Sequence, residues 1–150
     1  MKKFSEKVLK MLKKTGRRPV IIALEGNLGS GKTTFAQAFA RAFGIKEKVL
    51  SPTFVLMKIY APNSKFQIPN SKSKTNSFRF RHLIHIDCYR LNSPRELSHL
   101  GLRNLLKDKD AIILIEWADR IKKTLPKKAI WIKFRHGKKP NERVINVTGL

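Results

Sequence analysis

The 150-residue chain carries 33 Lys and Arg against 10 Asp and Glu, a formal net charge of +23, and 41% of its residues are hydrophobic. That length suits a single domain, 1–150, with one sizeable core, the apolar share excludes a disordered chain, and the lone Cys88 excludes an internal disulfide and a cysteine-rich metal site. The positive excess attracts polyanions, so partners with phosphate backbones or acidic faces are expected, although a Lys-rich proteome would produce the same bias.

The N-terminal MKKFSEKVLKMLKKTGRRP is basic but has no apolar core of leader type and no small-residue cleavage site. It reads as a short amphipathic helix with Phe4, Val8 and Met11 or Leu12 on one face, packed on its own domain rather than on a membrane surface. No run of about 20 apolar residues exists to span a bilayer, and a cytoplasmic protein is expected. Pro19 to Leu24, PVIIAL, is a continuous apolar run of the kind found in a buried strand. A glycine-rich segment follows, and then TTFAQAFARAFG reads as a helix ending at Gly44, with Phe35, Ala38, Phe39 and Ala42 on one face.

SPTFVLMKIY opens with a turn and becomes a strand near Phe54, and HLIHIDCYRL holds another over Leu83 to Asp87. The strands are expected to pair across Ala61 to Arg81, a polar segment without an acidic residue, which reads as a mobile basic loop. SPRELSHLGLRNLL begins with a cap pattern in which Ser93 caps, Pro94 takes the first helical position and Glu96 follows three residues after the cap. That helix is expected to reach about Leu106 unless Gly101 breaks it. Ala111 to Ile115 is a second buried strand ending at Glu116, ADRIKKTLP a short helix stopped before Pro126, and AIWIKFRH and ERVINVTG two strands joined by a turn. In the first of these two strands Ile130, Ile132 and Phe134 share one face, with Trp131 and Lys133 on the other.

The chemistry concentrates in Gly26-Asn27-Leu28-Gly29-Ser30-Gly31-Lys32-Thr33, which matches the G-x-x-x-x-G-K-[ST] P-loop pattern. Glycines let the backbone wrap around oxygens, successive N–H groups form an anion nest, and the following helix adds its unpaired N-terminal amides. Lys32 then reaches the β- and γ-phosphates, the Thr33 hydroxyl ligates Mg²⁺, and Thr34 supports the α-phosphate end or the helix start. The preceding apolar strand and following amphipathic helix supply the context this loop needs, so binding of a nucleoside triphosphate is expected.

Hydrolysis needs acidic oxygens at neighbouring strand ends. Asp87 after LIHI and Glu116 after IILI are the candidates, each with an exposed loop acid as the alternative. Glu25 reads as the end of the first strand. Thr53 either senses a γ-phosphate from a switch-like loop or caps, and Trp117 either stacks on a base or fills the core. His82, His85, His99 and His136 form no ligand cluster, although His85 and Asp87, two apart on one strand, face the same side.

These segments together resemble the TsaE family, the P-loop ATPases of bacterial tRNA threonylcarbamoyladenosine synthesis. GNLGSGKTTFAQAFARAFGI resembles that family's P-loop and helix, and SPTF, HIDCYRL, LGLRNLL and LIEWADRI follow in the family's order over Leu24 to Ile121. The resemblance implies a P-loop NTPase-like α/β domain of three layers with a mixed parallel and antiparallel sheet, and ATP and Mg²⁺ as ligands. It implies work with TsaD and TsaB on position 37 of tRNA, in which this protein supplies an ATP-driven step that lets their complex turn over. By the same resemblance Thr33 and Glu116 hold Mg²⁺, Asp87 orients or activates the attacking water, and Thr53 belongs to a nucleotide-responsive loop. Trp117, Tyr89 and Arg90 lie near the nucleotide or a partner-facing surface. The chain departs from the family pattern in Asn27, where Asp is usual, in Cys88, where Leu is usual, and in the longer, more basic segment 61–81.

The ten basic residues between Arg120 and Arg143 and the five between Lys65 and Arg81 are expected to face tRNA or an acidic partner surface. Two other readings share the P-loop. A small-molecule or nucleoside kinase would need an acceptor pocket and an arginine-bearing lid, which Arg79 and Arg81 can imitate. A non-hydrolysing, nucleotide-gated adaptor would bind ATP without turnover.

Overall fold

A computed structural model describes residues 1–12, 19–52, 56–63, 80–91, 93–99 and 101–149. Its elements run α1 (Lys2–Leu12), β1 (Val20–Gly26), α2 (Lys32–Ala42), β2 (Met57–Tyr60), β3 (His82–Asp87), α3 (Pro94–His99), α4 (Leu102–Leu105), β4 (Ala111–Glu116), a 3-10 segment (Ala118–Thr124), β5 (Ile130–His136) and β6 (Arg143–Thr148). Thr53, the expected strand start at Phe54 and residues 64–79 of the basic loop lie outside the described residues.

The six strands form one sheet in the order β2-β3-β4-β1-β5-β6. The inner four are parallel, and β2 and β6 add antiparallel edges. β1 and β4 sit innermost, so both of their faces are covered and both read as unbroken apolar runs. β6, at an edge, alternates instead: Arg143, Ile145 and Val147 are half-buried, and the residues between them are exposed. β2 pairs with β3 across the basic segment, as expected.

Alternation along the strands divides the core in two. Val20, Ile22, Leu24, Ile112, Leu114, Ile130, Ile132 and Phe134 face α1 and α2, and Ile21, Ala23, Ile84, Ile86, Ile113 and Ile115 face α3, α4 and the 3-10 segment. The result is a three-layer α/β domain with a mixed sheet. α2 buries Phe35, Ala36, Phe39 and Ala40, followed by Phe43. Of the two alanines expected on this face, Ala42 packs half-buried against the core and Ala38 is half-buried, while Ala36 and Ala40 extend the packed stripe to its other side. Each fully buried Phe contributes roughly 1.5–3 kcal/mol of transfer free energy.

α1 docks through Val8, Leu9 and Leu12, with Phe4 against the Phe35 ring at 5.5 Å between centroids. Of the two alternatives for its last apolar position, Leu12 is buried and Met11 is exposed. α2 stops at a Schellman turn. Gly44, at φ 92°, donates its N–H to Arg41 and Ile45 donates to Ala40, both at 3.0 Å. α3 starts with the expected capping box, in which Ser93 N–H donates to Glu96 Oε1 at 2.9 Å and Arg95 N–H donates to Ser93 Oγ at 3.2 Å. Gly101, at φ 72°, does break the helix, separating α3 from α4.

Candidate functional site

The carboxyl ends of β1, β4 and β3 lie side by side. Leu24 is in register with Glu116, and Glu116 with Asp87. In open α/β sheets that edge is where ligands enter. A cleft of about 300 Å³ opens there, walled by Gly29, Gly31, Lys32, Thr33, Thr34, Ser51, Asp87, Tyr89, Glu116 and Trp117, with Leu28 at its rim.

The loop between β1 and α2 delivers backbone donors to this cleft. Gly31, at φ 103°, precedes α2 and, having no side chain, offers its first-turn amides no cap. Such an end is suited to an anion. On the loop's outer side the carbonyls of Leu28 and Gly29 face the β5–β6 hairpin. His136 Nε2 lies 3.3 Å from the first, and Arg143 Nη2 donates to the second at 3.1 Å. A trans peptide opposes its C=O and N–H, so holding the Leu28 carbonyl outward turns the Gly29 N–H to the other side.

Two glycines of the loop differ in what they require. At Gly26, φ 151°, an added Cβ would sit 2.5 Å from the Phe134 carbonyl oxygen and 2.8 Å from Ser30 Oγ. At Gly29, φ 71°, it would meet only His136 at 3.8 Å. Gly26→Ala is therefore expected to lower stability by roughly 2–4 kcal/mol, combining strain and a backbone clash. Gly29→Ala costs about 1–2 kcal/mol from its left-handed backbone alone. Urea unfolding midpoints of the two variants check the contrast.

Lys32 is 4% exposed. Its ammonium donates to the carbonyls of Gly26 at 2.7 Å and Asn27 at 2.9 Å and lies 3.8 Å from the centre of the Trp117 ring. Burial lowers its pKa below the usual lysine range, with Glu116, Asp119 and Asp87 acting in the opposite direction. The Thr33 hydroxyl donates to Glu116 Oε2 at 2.7 Å. Asp87, 2% exposed, accepts from the Tyr89 N–H at 2.8 Å through Oδ1 and from the Ser51 hydroxyl through Oδ2. Trp117, at φ 57°, turns the chain out of β4. It is half-buried, packs on the second core and lies tilted against Tyr89 at 5.0 Å between ring centres.

Most of the residues singled out in the sequence thus border one cleft, but not all. Gly26 and Asn27 border a second depression on the far side of the loop, with Glu25, Lys133, Phe134, Arg135 and His136. Ser30 is buried, and its hydroxyl has no partner among the described residues. Thr53 falls outside the described residues. Glu25 forms an ion pair with Lys133 at 3.0 Å. Burial, followed by Asp87 and Asp119, pushes the Cys88 thiol up to about 12, so it stays protonated and unreactive near neutral pH.

Ser51 and His85 are the contacts that sequence reasoning did not find. Ser51 shares the SPTF segment with Thr53, but nothing local ties it to Asp87. His85 was placed on the Asp87 side of its strand, and pairing it with Glu116 requires knowing that β3 and β4 are neighbours.

The donor set suits a hard cation. Thr33 and Glu116 bring two oxygens to within 2.7 Å of each other, and Asp87 is in register on the adjoining strand. Among the described residues no group of three or more His, Cys, Asp or Glu gathers as a metal cage. Few protein oxygens, completed by substrate phosphates and water, is the pattern of Mg²⁺.

The fold defines a class: a P-loop NTPase-like α/β domain. The profile of the family described as "Threonylcarbamoyl adenosine biosynthesis protein TsaE" matches residues 1–145. Two relatives named as tRNA threonylcarbamoyladenosine biosynthesis protein TsaE come from Haemophilus influenzae and Rickettsia felis. The first is 31% identical over 87% of this chain and 70% of its own, and the second 34% identical over 81% and 61%. A crystal structure of Bacillus subtilis YdiB superposes with a TM-score of 0.63 at 26% identity, covering 97% of this chain and 78% of that one. This chain belongs to the TsaE family, which links it to threonylcarbamoyladenosine modification of tRNA. The matched region spans 70% and 61% of the two relatives' lengths. Among the described residues no helix is long and apolar enough to cross a membrane.

Proposed function

We propose that this protein is a Mg²⁺-dependent, cytoplasmic ATPase that supports turnover of a TsaB–TsaD complex during modification of tRNA position 37. The observation that carries the reading is the convergence of Lys32, Thr33, Asp87 and Glu116 on one cleft beside an uncapped helix N-terminus. The cleft's backbone donors and cation match a triphosphate, and its oxygens match the metal that accompanies one.

In this reading Leu28 to Thr33 wrap the triphosphate, with the loop and first-turn amides of α2 directed at its oxygens and Gly26 and Asn27 shaping the loop from behind. Lys32 moves its ammonium from the Gly26 and Asn27 carbonyls to the β- and γ-phosphates, a short displacement because those carbonyls belong to the same loop. Thr33 and Glu116 would hold Mg²⁺, which would offset the negative charge of the phosphate oxygens. Asp87, which accepts from Tyr89 and Ser51 on the wall of the cleft, would orient a water and take its proton. Trp117 and Tyr89 form an aromatic wall on the side of the β4 end.

Basal turnover is expected to be slow, with the partners completing the site. Phosphate release measured with purified TsaB and TsaD, against this protein alone, tests the proposal. A rise of about tenfold or more is expected if partners complete the electrostatic site. Nucleotide-dependent assembly with no phosphate release under either condition would replace the ATPase reading with a non-hydrolysing adaptor. Phosphate transfer to an added acceptor would replace it with a kinase.

A further inference from the structure

Two carboxylates stand in register at the ends of neighbouring strands, Asp87 on β3 and Glu116 on β4, and both are buried. Side by side they would repel and compete for the same donors. The hydrogen bonds described for the two acids come from different donors, while the Lys32 ammonium acts on both. Asp87 is bonded to Ser51 and the Tyr89 amide, and Glu116 is bonded to Thr33 through Oε2 and to His85 through Oε1, at 2.9 Å from Nε2.

His85 is 0% exposed and sits on the α2-facing side of β3 with Leu83 and Asp87. It is in register with Leu114, two residues before Glu116, so it reaches Glu116 along the diagonal of a parallel strand pair. Its other nitrogen, Nδ1, has no hydrogen-bond partner among the described residues. An ionised carboxylate can only accept, so the hydrogen of this bond is supplied by the imidazole. The proton therefore sits on Nε2, which donates to Glu116.

We infer that His85 is a positioning residue that anchors Glu116 by Oε1 and so presents Oε2, beside Thr33, to the metal. The inference rests on the Mg²⁺–ATP reading of the cleft. A glutamate side chain has three torsions to fix, and Thr33 constrains only one of its oxygens. Losing the His85 bond frees the carboxylate to rotate within a site that needs it in one orientation. Partners that orient a ligand from behind are commonly worth about 10- to 100-fold in metal affinity.

The test uses the full chain, a non-hydrolysable ATP analogue and calorimetry, with three variants. His85→Met fills similar space without a donor. His85→Gln carries an amide N–H about as far along the side chain as Nε2, and His85→Asn carries one that stops short. The Mg²⁺ concentration giving half-maximal analogue binding is expected to rise about 10- to 100-fold in the Met variant. His85→Gln should recover most of it, and analogue affinity in excess EDTA should stay within about twofold of wild type. A wild-type Mg²⁺ requirement in a folded Met variant overturns the inference, and so does an equal loss of affinity in EDTA, which marks general damage to the site. Should the Met variant not fold, the Gln and Asn variants decide: equal Mg²⁺ requirements overturn the inference, and a clear advantage for Gln supports it. Wild-type binding that ignores Mg²⁺ overturns the underlying reading of the cleft as well, and is told apart because it appears before any substitution is made.

Discussion

Asp87→Asn is expected to lower phosphate release by about 100-fold or more while leaving ATP affinity within about twofold, because it removes a base and keeps the shape of the side chain. Asp87 stands at the end of β3, outside the glycine loop, so the phosphate cradle of Gly26 to Thr33 is untouched by the change. The asparagine carbonyl can still accept from Tyr89 or Ser51, and the local backbone should hold. Single-turnover hydrolysis with saturating ATP separates chemistry from binding, and partner-stimulated turnover is measured beside it. Hydrolysis at the wild-type rate would remove Asp87 from the mechanism and direct attention to a base supplied by a partner. Loss of binding together with hydrolysis would instead assign Asp87 to nucleotide or metal binding.

Lys32→Ala carries the other large effect, on binding. The ammonium is the one cation on the wall of the cleft among the described residues, and it is buried beside Glu116 and Asp87. Its removal takes away a charge-assisted contact to phosphate and leaves two acids near the place where the triphosphate must sit. ATP affinity is expected to fall by about 100-fold or more. The folded protein should lose less: the Gly26 and Asn27 carbonyls lose one donor each, about 1–2 kcal/mol together if water replaces it in part. Isothermal calorimetry with ATP and Mg²⁺, with a thermal melt in the absence of nucleotide as control, checks both halves. Affinity unchanged in Lys32→Ala would mean that the cleft is not a triphosphate site.

These two side chains reach the cleft by different routes, and the difference explains what could be read beforehand. Lys32 belongs to a motif whose geometry is contained in one short loop between a strand and a helix, so its neighbours in space are its neighbours in sequence. The Schellman turn at Gly44 and the capping box at Ser93 are legible for the same reason, since each bond spans only a few residues. Asp87 and Glu116 could be placed at strand ends by the apolar runs before them, but their meeting depends on β3 lying against β4 and β4 against β1. No local pattern specifies that order. The resemblance to the family supplied it indirectly, through roles assigned to both acids.

Side-chain periodicity was informative on the sheet and less so on α2. Ile130, Ile132 and Phe134 all turned to one core, as a period of two requires. On α2, Ala36 and Ala40 are buried and Ala42 packs half-buried against the same core, so the stripe is wider than the expected face and alanine, equally apolar wherever it falls, does not mark its edge.

From residue order alone came the phosphate-type loop, the strand and helix that flank it, the helix caps, two acids at strand ends and the excess of positive charge. The tertiary structure alone brought β1 between β4 and β5, set Thr33 against Glu116, tied Ser51 to Asp87 and His85 to Glu116, and laid the β5–β6 hairpin along the outside of the loop. The physical reason is range. Caps and glycine turns are governed by hydrogen bonds a few residues long, whereas strand order is chosen by how two apolar faces of a whole sheet are buried at once.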